Sequence, residues 1–322
     1  MPLLEVDRLA VHMPTADGRV PLVREVSFSI ERGETLGIVG ESGCGKTMTA
    51  LALMGLLPDG AIPSGRVLFD GEDLVAAKEE RLCQLRGNRL AMIFQEPMSA
   101  LNPVHPIGRQ IAESLILHRG LSRGEARAEA VRLLELVRLP EPRARLDQYP
   151  HQLSGGQRQR VMIAIALACQ PDILIADEPT TALDVTVQAQ ILDLIHDLVE
   201  ELGMALVLIS HDLGVVGDIT DRVLVMYAGR VVEGGPTVDL FHRRAHPYTR
   251  GLFAALPEPG RTRGSALYAI PGTVPDPRQP QTGCAFADRC YLVEDACRAA
   301  LPPMVEVGPG HAALCRRTDV TT

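Results

Sequence analysis

The chain has no tryptophan, and aromatic residues make up only 3% of its length. Base-binding proteins stack their ligands on such rings, so platforms for nucleic acid are scarce. Positive charge is also short: 32 basic residues face 40 acidic ones, for a net charge of −8. A nucleic-acid binder normally shows a basic surface, and that class is set aside. Long apolar runs are missing too. The longest, Val161–Cys169, has nine residues, against the roughly 18 that a membrane-spanning helix needs. Glu5 and Asp7 interrupt the first apolar stretch, which a secretory signal does not allow. These absences lead to the expectation of a soluble intracellular protein. Lysine is nearly absent: Lys46 and Lys78 stand against 30 arginines. A chain that otherwise uses Arg has placed a compact ammonium at 46, which asks for a site that needs a point charge.

What is present is a core-forming composition. The 322 residues are 46% hydrophobic and 22% charged, enough for about two domains and too apolar for a disordered chain. Alternating polar and apolar residues in Leu4–Asp7 and Val26–Ile30, with Asp17-Gly18 between them, predict a hairpin. A short strand over Thr35–Val39, a glycine-rich turn over Gly40–Gly45 and a helix from Lys46 to about Leu57, ended by Pro58, follow. Strands are expected at Arg66–Phe69 and Leu90–Phe94. Helices then dominate from about Pro97 to Pro150: Ile107–His118, then one opened by a Ser122/Glu125 capping box with the stripe Ala126, Ala130, Leu133, Leu134, Val137. The α/β pattern returns with helix Gln157–Cys169, strand Asp172–Ala176, helix Val185–Leu202 stopped by Gly203, and strand Ala205–Ser210. The near-continuously apolar strands suit a parallel sheet covered on both faces. Beyond about 255, Pro and Gly become dense and periodicity fades, which reads as a linker into a small cysteine-stapled appendage.

Three motifs carry chemistry. Gly40-Glu41-Ser42-Gly43-Cys44-Gly45-Lys46-Thr47 fits the P-loop pattern between a strand and a helix. Its backbone N–H groups wrap phosphates, Lys46 supplies the charge to the β/γ oxygens, and the Thr47 hydroxyl reaches Mg²⁺. Ile173-Leu174-Ile175-Ala176 ends in Asp177-Glu178, which sets Asp177 to hold Mg²⁺ and Glu178 to polarise an attacking water. Leu153-Ser154-Gly155-Gly156-Gln157 opens a helix more than 100 residues further on, a second anion-binding end.

Together these motifs resemble the nucleotide-binding subunits of ABC transporters, in which the signature helix of one subunit closes over the ATP held by its partner's P-loop. Further landmarks stand in order. Gln95 in Ile93-Phe94-Gln95-Glu96-Pro97 matches the Q-loop and implies a Mg²⁺ ligand. Ala182-Leu183-Asp184 matches the D-loop, and His211 in Ile209-Ser210-His211-Asp212 matches the switch histidine at the γ-phosphate. The family's adenine-stacking aromatic is absent; its place is held by Val11-His12-Met13, so the imidazole of His12 or the thioether of Met13 is expected there. The resemblance implies an α/β fold: a P-loop NTPase (RecA-like) core with an antiparallel β subdomain, an inserted α-helical subdomain at about 97–157 and a C-terminal cysteine-rich appendage. The nucleotide-binding domain would take 1–254 and the cysteine-rich region 255–322.

Tyr149-Pro150-His151-Gln152, Met226-Tyr227-Ala228-Gly229, His246-Pro247-Tyr248-Thr249, Ile270-Pro271-Gly272 and Gly283-Cys284 are similar to oligopeptide/dipeptide importer ATPases. That implies ATP and Mg²⁺, a paralogous ATP-binding subunit, two transmembrane permeases, an extracytoplasmic substrate-binding protein, and a peripheral place on the cytoplasmic face of the inner membrane. Nickel and glutathione importers share the architecture and stay open as alternatives. So does a soluble ABC ATPase, although one cassette and a helical insert of only about fifty residues argue against the translation and repair types. A vestigial ATPase is opposed by intact Lys46, Asp177, Glu178 and His211.

Four of the seven cysteines, Cys284, Cys290, Cys297 and Cys315, crowd into the last 39 residues. In a reducing compartment such a cluster reads as metal-binding rather than disulfide-forming. Gaps of five, six and seventeen residues fit short zinc motifs poorly and suit a [4Fe–4S] cluster, which the resemblance implies as well. Zinc and free buried thiols remain the alternatives. His105, His118, His196, His242 and His311 read as surface or packing residues.

Overall fold

Strand residues that alternate between two apolar faces need covering on both sides, and the central sheet meets that need. The computed structural model describes residues 1–16, 18–95, 100–181, 183–256 and 268–318. In chain order the strands are β1 (Leu4–Thr15), β2 (Gly18–Ile30), β3 (Thr35–Val39), β4 (Ile62–Phe69), β5 (Glu72–Asp73), β6 (Leu90–Ile93), β7 (Ile173–Asp177), β8 (Ala205–Ser210), β9 (Arg222–Tyr227), β10 (Arg230–Pro236), β11 (Met304–Gly308) and β12 (His311–Leu314). They form a four-stranded antiparallel sheet, β2-β1-β4-β5, and an eight-stranded sheet, β11-β12-β10-β9-β3-β8-β7-β6. From β9 to β6 the large sheet is parallel.

The two-residue period sorts that sheet's side chains. Leu36 and Ile38, Ile173 and Ile175, and Ala205, Val207 and Ile209 point to one core, shared with the antiparallel sheet and with helix α1 (Lys46–Leu53). Val39, Leu174, Ala176, Leu206 and Leu208 point to the other core, under the remaining large helices. Four of these are α3 (Ile107–Arg119), α4 (Arg123–Leu136), α6 (Gly155–Leu167) and α7 (Val185–Leu202); the short α2 (Glu79–Leu85) and α5 (Pro142–Arg145) complete the set up to α7. On α4 the stripe Ala126, Ala130, Leu133, Leu134, Val137 is buried as its spacing predicts, and Ser122 and Glu125 close the capping box. Helix α7 has the expected bounds and ends at Gly203, in the left-handed region with φ 62°.

Two expectations need correction. Helix α1 stops at Leu53, short of Leu57. Gly55 turns left-handed at φ 62°, and Arg86 donates to the free carbonyls of Met54 and Gly55 at 2.8 and 2.7 Å, so the helix is ended before the proline. The C-terminal residues also hold more regular structure than their fading periodicity suggests. β11 and β12 form a hairpin, and β12 pairs with β10, extending the large sheet. The described part of the cysteine-rich region is thus joined to the sheet by backbone hydrogen bonds. The Pro/Gly-rich stretch 257–267, Asp17 of the hairpin turn, Glu96 and Pro97 of the Q-loop, and Ala182 of the D-loop lie outside the described residues.

Candidate nucleotide site

In open parallel sheets, ligands bind beyond the carboxyl ends of the strands. Here the register does the assembling. Val39 of β3 stands beside Ser210 of β8, Asp177 of β7 beside Ile209, and Ile93 of β6 beside Ala176. The residues that follow these strand ends, Gly40, His211, Glu178 and Gln95, therefore converge on one edge although they are spread over some 170 positions of sequence.

The loop after β3 is built to bring backbone close to a ligand. Gly40 (φ 154°) and Gly45 (φ 102°) could not carry side chains: a Cβ would lie 2.3 Å from the Met226 carbonyl oxygen or 2.7 Å from that of Leu22. Lys46 folds back over this loop, donating from Nζ to the carbonyls of Gly40 (2.8 Å) and Glu41 (3.2 Å) while only 5% exposed. The Thr47 hydroxyl donates to Asp177 Oδ1 at 3.4 Å. Asp177 is buried, and that burial pushes its carboxyl above the usual range against the pull of Thr47 and Lys46.

Glu178 is the hub. Its Oε1 lies 3.9 Å from Lys46 Nζ. Its Oε2 accepts from Gln95 Nε2 (3.1 Å) and Thr181 Oγ1 (3.0 Å), and lies 3.5 Å from His211 Nδ1. The backbone of Glu178 is left-handed at φ 45°, an unfavourable conformation for a residue with a Cβ, held by its N–H bonding to the Ile209 carbonyl at 2.9 Å.

The pocket over the loop has a volume of about 490 Å³ and is lined by Ser42, Gly43, Gly45, Lys46, Thr47, Gln95 and Glu178, among others. Ser154, Gly155, Gly156, Gln157 and Asp184 are not among its lining residues. Ser154 caps α6, accepting from the Gln157 N–H and completing a capping box; Asp184 caps α7 through the Val187 N–H. Ser154, Gly155 and Asp184 are exposed, and so is Val185 at 81%. Neither His12 nor Met13 lines the pocket; His12 faces a separate cavity above β1 and β2.

Sequence reasoning missed several residues around the loop. Glu41, expected only as part of the phosphate cradle, is gripped by Arg289, which donates to both its carboxylate oxygens at 2.7 and 3.0 Å while itself buried. The Glu41 N–H donates to the Tyr248 hydroxyl at 2.8 Å. Tyr248 stands in a motif that the sequence displays, but nothing local links Arg289 to a residue 248 positions earlier.

The four late cysteines come together. Cys284, Cys290, Cys297 and Cys315 line one small pocket with Phe286, Ala287 and Leu292, and all four are free thiols. Burial pushes the Cys284 thiol up to about 11, with the other three cysteines adding to the rise, and burial raises Cys290 and Cys315 likewise. Among the described residues no group of three or more His, Cys, Asp or Glu side chains is set to hold a metal ion. Cys83 is exposed; Cys44 and Cys169 are buried elsewhere.

Comparison with known proteins gives the family. Residues 23–181 match the ABC transporter family model, and residues 232–297 match the oligopeptide/dipeptide transporter C-terminal region. The chain is 51% identical over 319 residues to a probable peptide ABC transporter ATP-binding protein of Sinorhizobium fredii, covering 98% of this chain and 95% of the relative. It is 49% identical over 313 residues to the oligopeptide transport ATP-binding protein OppD of Salmonella typhimurium, covering 97% and 93%. Among solved structures it resembles a dimeric bacterial ABC transporter cassette, with TM-score 0.66 and 29% identity over 73% of this chain and 98% of that one. With a P-loop NTPase fold, an antiparallel β subdomain and these relatives, the chain belongs to the ATP-hydrolysing ATP-binding proteins of ABC transporters that carry the oligopeptide/dipeptide transporter C-terminal region.

Proposed function

We propose that this ATPase powers import of di- and oligopeptides, as a peripheral subunit on the cytoplasmic face of the membrane. The observation that carries the mechanism is the single carboxylate of Glu178 held among Lys46, Gln95, Thr181 and His211 at the mouth of the P-loop pocket. The cradle Gly40–Thr47 holds the phosphates, and Lys46 gives up its loop carbonyls for the β/γ oxygens. Thr47, Asp177 and Gln95 would hold Mg²⁺, which neutralises charge on the phosphates when bound. Glu178 takes a proton from the attacking water, and His211 sits at the γ-phosphate end.

The exposed Ser154–Gln157 helix end and Asp184 have no part in their own chain's pocket. This supports their use on a partner's nucleotide, in a sandwich dimer with a paralogous subunit. The similar solved cassette is itself dimeric. Two transmembrane permeases and an extracytoplasmic substrate-binding protein complete the importer. No helix among the described residues is long and apolar enough to cross a membrane, so the path for the peptide belongs to the permeases.

Cys284, Cys290, Cys297 and Cys315 would hold a [4Fe–4S] cluster. The support is their shared pocket and a thiol-only donor set. Iron would relieve the mutual repulsion that a set of thiolates would otherwise suffer there. Its part is to staple a Pro- and Gly-rich segment that buries little apolar surface of its own.

The test is reconstitution with the paralogue, the permeases and the binding protein in liposomes. ATP-dependent uptake of a labelled di- or oligopeptide is expected. Peptide-independent ATPase with uptake of a metal ion or glutathione instead would overturn the cargo.

A further inference from the structure

The pocket over the P-loop is lined by more than the phosphate cradle, and part of its lining comes from the C-terminal region. Pro21, Leu22 and Arg24 of β2 belong to the lining, and so do Val274, Pro275, Asp276, Pro277 and Gln281. Pro21, Leu22, Val274, Pro275 and Pro277 give apolar surface that suits the ring faces of a nucleobase, beside the Asp276 carboxylate, which Arg278 pairs at 2.7 Å. Nε2 of Gln281 is buried without a hydrogen bond, and so is Nε of Arg24, whose side chain lines both this pocket and the cavity above β1 and β2, a costly state unless something else accepts from them.

This segment is fastened to the P-loop by one side chain. Arg289 donates from Nε to the Pro271 carbonyl (2.9 Å) and from a terminal nitrogen to the Ile270 carbonyl (3.3 Å), while its fork grips the Glu41 carboxylate. Gly272 turns at φ 75° directly against the Arg289 side chain, where an added Cβ would meet its Cγ at 3.2 Å. The start of the wall and the start of the phosphate cradle thus share one guanidinium.

We propose that residues 274–281 are the nucleoside wall of the ATP pocket, binding base and ribose in the absence of an aromatic on β1. Gln281 and Val274 make the contact, and Arg289 is the positioning residue that sets the wall against the P-loop. His12 and Met13 are not among its lining residues.

The proposal rests on the pocket being the ATP site, and one pair of probes separates the two. Binding of ATP and of inorganic tripolyphosphate, both with Mg²⁺, is measured on the full chain. Lys46→Ala should weaken both probes; if it leaves ATP binding intact, the site assignment itself fails. Gln281→Ala and Val274→Ala should each weaken ATP by about five- to tenfold, the scale of one lost hydrogen bond or apolar contact, and leave tripolyphosphate unchanged. Arg289→Lys, which keeps the charge but loses the fork that also holds Glu41 of the cradle, should weaken ATP more than tripolyphosphate, whereas damage to the cradle alone would weaken the two probes equally. ATP affinity that is unchanged or raised in the Gln281 and Val274 variants, or a parallel loss of both probes, would overturn the wall.

Discussion

Glu178 gathers a cation, an amide, a hydroxyl and an imidazole around one carboxylate, and its backbone is held in a conformation that costs energy. Glu178→Gln keeps the shape but removes the base. Turnover at the altered site is expected to fall by ~10²–10⁴-fold with ATP binding retained. Phosphate release by the assembled complex, set beside ATP binding, checks this; a competent partner site would leave residual turnover up to about half. Lys46 makes a second case. Its buried Nζ fits between two loop carbonyls, a space shaped for a point charge. Lys46→Arg should therefore lose ATP binding much as Lys46→Ala does, and a normal affinity in the Arg variant would sink the point-charge account. Lys46, Asp177 and Glu178 could be singled out from the sequence, because phosphate and Mg²⁺ chemistry asks for those residue types beside short apolar strands, whereas Gln95 and His211 were singled out only through the family resemblance. Thr181 and Arg289 were not, since their roles depend on which loops the sheet register brings together.

The hairpin β11–β12 docks on β10 through a buried polar contact. Glu233, fully buried on β10, accepts from His311 Nε2 at 2.8 Å and from the backbone N–H groups of Ala245 and His246 at 2.7 and 2.8 Å. Burial alone would raise the Glu233 carboxyl, but these donors together hold it below the usual range. A carboxylate with a lowered folded-state pKa stabilises the fold above its unfolded value, near 4.3, and that contribution is lost as pH falls below it. Thermal unfolding followed against pH should show acid loosening of this dock. Glu233→Gln should remove that group's acid step and cost roughly 1–3 kcal/mol at neutral pH, as the buried donors lose a charged acceptor; a variant as stable as the parent would contradict the dock. His311, read from sequence as a surface or packing residue, proves to be buried in this pair. Helix α7 and strand β8 were readable end to end because amphipathic spacing and Gly203 mark them. β11 and β12 were not, because five and four residues carry too little periodicity and the strand that β12 joins, β10, lies about 80 positions away.

At the scale of the molecule, two sites depend on more than one region. The pocket over the P-loop has no signature residue of its own among its lining, so the isolated chain should hydrolyse ATP poorly and gain activity with a partner subunit. Activity and mass measured together by sedimentation would show this, and full activity from a demonstrable monomer would contradict it. The cysteine pocket makes a separate prediction. Anaerobically purified chain should be brown and hold about four irons, by the Cys₄ rule. Serine at Cys284, Cys290, Cys297 or Cys315 should lower the iron, whereas serine at Cys83 or Cys169 should not. Colourless protein with stoichiometric zinc would replace the cluster with a zinc site.

The sequence by itself determined the cradle, the acidic strand end, the signature helix and the parallel strands. Each of these is local: glycines free a loop, apolar period two makes a buried strand, and Ser154 with Gln157 caps a helix wherever that helix lies. Only the tertiary structure decided which of them meet. The register of β3, β8, β7 and β6 gathers Lys46, His211, Glu178 and Gln95 at one edge and leaves Ser154 and Asp184 outside it. It also turns a proline-rich tail, without a helical or strand period to read, into a wall of the pocket through Arg289 and Glu41. That contact joins residues 248 positions apart, and its physical basis is a two-pronged ion pair with a buried guanidinium, whose partners only folding brings within reach.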